Sequence, residues 1–338
     1  MRRTFARAGM LLFALATLAF APLAARGAAP AVTLLNVSYD PTREFYEAYN
    51  ALFAAYWKKK TGQDVTVQQS HGGSGAQARA VIDGLSADVV TLALAYDVDA
   101  IAKSGALPAD WQKRLPDASA PYTSTVVFVV RKGNPKRIRD WNDVARPGVA
   151  VVTANPKTSG GARWNFLAAY AYGLKHSHND DAKATAFAAG VYKNVAVLDG
   201  GSRGATVSFV DRQIGDVLLA WENEAFFIQR SAPKDGYEIV VPSVSVLAEP
   251  PVAVVDANAR KHGTEAVAEA YLRYLYSPEA QKLACREGYR PRLTSVLGSC
   301  GTHFARTDLV TIASFGGWQT AQARFFADGG VFDRIAAR

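Results

Sequence analysis

Short β-branched apolar runs alternate along this chain with stretches in which large apolar side chains recur every three or four positions. Thr33 to Val37 is a run of the first kind. Phe45, Tyr49, Leu52, Phe53 and Tyr56 recur at the second spacing, so a strand followed by a helix from Pro41 to Lys60 is predicted. Asp40 reads as the N-cap of that helix, because proline at the first helical position gives up no needed hydrogen bond. The alternation continues with a strand near Val65 to Gln69, a helix from Ala76 to Leu85, the apolar run Ala87 to Ala95 and a strand from Thr123 to Arg131. After a loop through Pro135 and Trp141 it restarts. Strands are expected at Val149 to Thr153, Val195 to Leu198, Asp216 to Ala220, Glu238 to Val241 and Val252 to Val255, and helices at Ala162 to Leu174 and Ala205 to Gln213. A helix from Thr264 to Glu287 and a last one from Gln319 to Phe326 complete the pattern.

Such alternation argues for an α/β fold with parallel-rich sheets flanked by helices. In such sheets ligands bind beyond the carboxyl ends of the strands. Residues 1–31 stand apart: Arg2, Arg3 and Arg7 precede an apolar stretch from Ala8 to Ala21, then small residues, the pattern of a secretory signal peptide. The remaining chain is longer than one typical core, so two lobes joined by a hinged cleft are expected.

Removing the signal changes the charge balance. The formal +8 includes Arg2, Arg3, Arg7 and Arg26 and no acid from that segment, which leaves 8 − 4 = +4. No long basic run remains beyond Lys58, Lys59 and Lys60 at a helix end, so no nucleic-acid partner is expected. The two cysteines, Cys285 and Cys300, are either a disulfide of an exported protein or two free thiols. The five histidines are scattered, so no metal and no cofactor are expected.

Four segments carry the candidate chemistry: Ser38 to Pro41, His71 to Gly75, Thr158 to Gly161 and Gly200 to Gly204. Each precedes a predicted helix. Helix starts expose unpaired N–H groups and the positive end of the dipole, and glycine lets a ligand approach the backbone. If the four converge, they form a cage for a small oxyanion. A different reading also fits the motifs. Gly200 to Gly204 matches GxSxG, His71 to Gly75 resembles an oxyanion loop, and Asp256 with His262 or His303 follows in order, so a secreted serine hydrolase using Ser202 is the competing class.

The segments NVSYDPTREFYEAYN, QSHGGSGAQA, TLALAYDVDAIA, TSGGARWNFLAAYAYG, GDVLLAWENEA and GGWQTAQARFFADGGVFDRI together resemble the periplasmic sulfate-binding proteins of ABC-type sulfate and thiosulfate importers. The resemblance implies a two-lobed periplasmic solute-binding fold of type II, with residues 32–121 plus 251–338 in lobe I and 122–250 in lobe II. It implies no catalysis, a monomer, and delivery of sulfate or thiosulfate to an inner-membrane permease. It assigns to the anion the N–H groups of Asp40, Ser74, Gly160, Gly161 and Ser202, the hydroxyl of Ser159 and the indole of Trp221. The chemistry agrees, since sulfate at neutral pH carries no proton and can only accept hydrogen bonds. Molybdate and phosphate are the alternative ligands.

Overall fold

The computed structural model describes residues 30–232 and 236–336. The expected signal peptide lies almost wholly outside them. None of the described helices is long and apolar enough to cross a membrane.

Two sheets organise the chain. The first has four strands in the order Val252–Val254, Val89–Thr91, Val32–Tyr39, Val65–Gly72. Its last three are parallel, and Val252–Val254 joins antiparallel to Val89–Thr91. The second has five strands in the order Val195–Asp199, Val151–Ala154, Val217–Trp221, Val126–Val130, Glu238–Val240. Here Val126–Val130 runs antiparallel to both its neighbours. The strand Val126–Val130 is buried along its whole length, as its unbroken run of apolar residues requires of a strand covered on both faces.

The helices that follow these strands are built from the same local rules. Arg43–Thr61 buries Phe45, Tyr46, Tyr49, Phe53 and Trp57 along one stripe against Tyr271 and Tyr289. Its last turn carries Lys58, Lys59 and Lys60, where cations suit the dipole, and Gly62 ends it in the left-handed conformation at φ 76°. Gly160–His176 differs, with apolar residues on every side, and it is buried on every side from Gly160 to Gly173.

Three expectations are corrected. Thr42, not Asp40, is the N-cap of the helix Arg43–Thr61; Asp40 opens a 3₁₀ turn, Asp40–Thr42, that leads into it after Tyr39, and its side chain caps nothing. The helix expected from Thr264 to Glu287 is two, Glu265–Tyr274 and Pro278–Arg286. Pro278 disfavours helical geometry in Ser277, whose hydroxyl instead caps the second helix through Ala280 N. The last predicted helix is likewise a short α-helix, Gly317–Ala321, continued by a π turn, Gln322–Phe326.

The C-terminal part does not stay with the first sheet. Asp308–Val310 pairs with Val244–Val246, and Phe315, Trp318, Phe325, Phe326 and Phe332 pack with Trp164, Phe166, Tyr170 and Tyr192 on the second-sheet side. The assignment of 251–338 to one lobe therefore departs from the packing beyond about residue 308. Cys285 and Cys300 form a disulfide, with Cα atoms 5.8 Å apart.

Candidate functional site

Each sequence-predicted donor occupies the start of a helix or the strand end leading into one. Asp40 is the first residue of its 3₁₀ turn after strand Val32–Tyr39, and Ser74 the first of helix Ser74–Ile82 after strand Val65–Gly72. Gly160 and Gly161 open Gly160–His176, and Ser202 opens Ser202–Val210. Trp221 ends strand Val217–Trp221 and caps the helix Glu222–Ser231. First-turn N–H groups have no partner inside their own helix. Among the described residues, none of the N–H groups of Asp40, Ser74, Gly160, Gly161 and Ser202 finds a backbone acceptor elsewhere either.

Close approaches at the glycines show that these starts meet. A Cβ placed on Gly161 would lie 2.8 Å from Ser202 Oγ, 3.6 Å from Trp221 Nε1 and 3.7 Å from Ser159 Oγ. One on Gly160 would lie 2.9 Å from the side chains of Ser74, Ala93 and Leu94, which belong to the first-sheet side. One on Gly73 would lie 2.7 Å from the Thr158 carbonyl oxygen and 3.2 Å from that of Gly200, and one on Gly201 would collide with Asp40 Oδ2. All four segments therefore converge on one place, with the two sides of the molecule in direct contact there. Each of these glycines has an ordinary negative φ, since none appears among the positive-φ positions; what demands glycine is room, not backbone conformation.

The side chains divide by commitment. Ser159 Oγ accepts from Ala162 N at 3.3 Å, which leaves its own proton free to point elsewhere. Trp221 Nε1 has only a long contact to the Gly161 carbonyl at 3.4 Å. Ser74 Oγ, by contrast, is fully engaged: it donates to Asp97 Oδ2 at 2.5 Å and accepts from Ala93 N at 3.0 Å.

Two arginines beside the helix starts are ion-paired. Buried Arg163, from the second-sheet side, lies 3.4 Å from Asp97 on the other. Arg203, next to Ser202, reaches Glu44 at 2.8 Å and the buried Glu224 at 3.2 Å. Burial raises the Asp97, Glu224 and Asp40 carboxyls, countered by Arg163, by Arg203 and by Arg43 with Arg203 respectively. Arg163 and Arg203 thus each make an ion pair between the two sides, to Asp97 and to Glu44. Asp97 and Glu224 were not legible beforehand: they act across 66 and 21 positions in sequence.

The hydrolase constellation is not assembled. Asp256 is paired with Arg114 at 2.7 Å, and His262 Nδ1 lies 2.9 Å from Asp88. No hydrogen bond joins Ser202 to His262, His303 or Asp256 among the described residues, so its hydroxyl lacks a base. Among those residues no group of three His, Cys, Asp or Glu side chains is placed to hold a metal ion.

Residues 42–290 match the family described as bacterial extracellular solute-binding protein. The chain is 60% identical over 308 residues to the sulfate-binding protein of Escherichia coli K12, covering 91% of this chain and 94% of that one. It is 51% identical over 323 residues to the thiosulfate-binding protein of Pseudomonas aeruginosa, covering 95% and 97%. The solved structure of the sulfate-binding protein SubI from Mycobacterium tuberculosis H37Rv superimposes with a TM-score of 0.78 at 33% identity, over 87% of this chain and 99% of that one. With its converging helix starts and this breadth of similarity, the chain belongs to the bacterial extracellular solute-binding proteins, in the group that comprises the sulfate- and thiosulfate-binding proteins.

Proposed function

We propose that this protein captures sulfate, and also thiosulfate, in the periplasm and delivers it as a monomer to an inner-membrane ABC permease without catalysing a reaction. The observation that carries the reading is the meeting of five unpaired N–H groups, Asp40, Ser74, Gly160, Gly161 and Ser202, with the Ser159 hydroxyl and the Trp221 indole. A set made of donors matches an anion that can only accept. Charge-assisted hydrogen bonds in a water-poor cleft supply the affinity. The anion contacts both sides at once, Asp40 and Ser74 from one and the remaining donors from the other, and so stabilises the closed arrangement by the difference in its affinity for closed and open forms.

Amide and indole N–H groups can only donate, so they favour a fully deprotonated dianion over hydrogen phosphate, whose own proton they cannot accept. Isothermal titration of the mature protein with sulfate, thiosulfate, molybdate and phosphate tests the reading. One sulfate per chain, with phosphate binding about 10- to 100-fold more weakly, is expected from one unmet charge-assisted bond. Tighter binding of phosphate or molybdate than of sulfate would replace it with one of those ligands.

A further inference from the structure

One polar side chain at the convergence point has no task in the donor set described so far. Ser202 contributes its N–H, yet its Oγ is the atom that comes nearest to the space above Gly161, at 2.8 Å from an ideal Cβ there, ahead of Trp221 Nε1 at 3.6 Å and Ser159 Oγ at 3.7 Å. A serine at the first helical position is not the cap; Gly201 holds that position. The acceptor role that occupies Ser159 Oγ is therefore not imposed on Ser202 Oγ.

Most polar neighbours of Ser202 are engaged with other partners. Glu224 Oε1 accepts from Thr206 Oγ1 at 2.6 Å, and its carboxylate is paired with Arg203. Asn165 donates to Thr153 Oγ1 and to the Leu219 carbonyl, both at 3.1 Å, while its buried Oδ1, in the pocket that Ser202 also lines, has no hydrogen-bond partner. The Thr206 hydroxyl also makes a 3.4 Å contact with the Ser202 carbonyl, not with Oγ. Within the described residues, Ser202 Oγ makes no hydrogen bond to protein at all. A hydroxyl free of local obligations and held beside two other side-chain donors is set to donate into the same space.

We infer that the Ser202 hydroxyl is a direct eighth contact to the bound anion, in addition to the Ser202 N–H; this rests on the sulfate reading above. It differs in kind from the five N–H groups. Its proton rotates about the Cβ–Oγ bond, so it follows an anion oxygen that the rigid amides do not reach.

The test is titration of wild-type and Ser202→Ala protein with sodium sulfate, together with thermal melts of both without ligand. A hydrogen bond to a charged group predicts a dissociation constant about 10- to 100-fold higher in the variant. The ligand-free melting temperature is expected to stay within about 1 °C, because a partly buried serine whose hydroxyl has no protein partner holds little together. A variant that binds sulfate within about twofold of wild type would overturn this inference alone. Wild-type protein with no affinity for sulfate would instead overturn the sulfate reading and take this inference with it.

Discussion

The two sides of the cleft use the same element, a helix beginning where a strand of the parallel sheet ends, and finish it differently. On the first-sheet side, Asp40 and Ser74 present N–H groups and their side chains point elsewhere. Ser74 Oγ is tied to Asp97 and Ala93, and the Asp40 carboxylate reaches over to Gly201. On the second-sheet side, Ser159, Ser202 and Trp221 bring side-chain atoms to the space above Gly161 as well. The difference gives each side a role. On the proposed reading the second side holds the anion through backbone and side chains together, and the first adds two N–H groups.

The comparison breaks most visibly at Gly161. Replacing it by alanine puts a methyl 2.8 Å from Ser202 Oγ, inside the donor cluster. Overpacking and lost hydrogen bonds together predict sulfate binding weaker by about 100-fold or more, with far-ultraviolet circular dichroism unchanged. Affinity retained within about threefold would show that the anion does not occupy that space.

Trp221→Phe sharpens the same contrast with a smaller change, since it keeps the packing against Tyr39 at 5.4 Å between ring centroids and removes the one indole donor. Sulfate affinity should fall by about 10- to 100-fold, mostly through faster release in stopped-flow measurements. An unaltered release rate would take the indole out of the site.

Protonation provides the mildest test. Burial, then the neighbouring Arg43 charge, holds His71 down at about 4 from 6.5, so it is neutral in the folded protein at pH 6–8. Its folded value lies below its unfolded one, and the unfolded chain takes the proton first as pH falls. Stability from this group is present above about 6.5 and is lost as pH falls towards about 4. His71→Gln should flatten the fall in melting temperature across that window. Sulfate affinity should change less than about twofold between pH 6 and 8 in both proteins, because the donors do not titrate there. A tenfold change over that range would place an ionising group against the anion.

Much of the local structure could be read from the chain because local chemistry decides it. Gly73, Gly160, Gly161 and Gly201 mark helix starts where backbones must come close, and the apolar runs before them mark the strands. Other features depended on contacts made far along the chain. Asp97 and Arg163 meet across 66 positions, and Phe325 and Phe326 show a helical apolar pattern that does not say which sheet they will cover. Asp40 lies outside the helix cap for a local reason. Pro41 suits the first turn of a 3₁₀ segment as well as that of an α-helix, so the residue before it need not be the cap. Pro278 divides the helix predicted from Thr264, since the residue before proline leaves the helical region.

The most direct measurement is a crystal structure of the protein grown with sulfate. The account predicts one sulfate with oxygens at about 2.7–3.2 Å from the amide nitrogens of Asp40, Ser74, Gly160, Gly161 and Ser202, and no Lys or Arg nitrogen among its contacts. A sulfate held by arginine side chains, or one lying against the Asp40 carboxylate instead of its N–H, would contradict it.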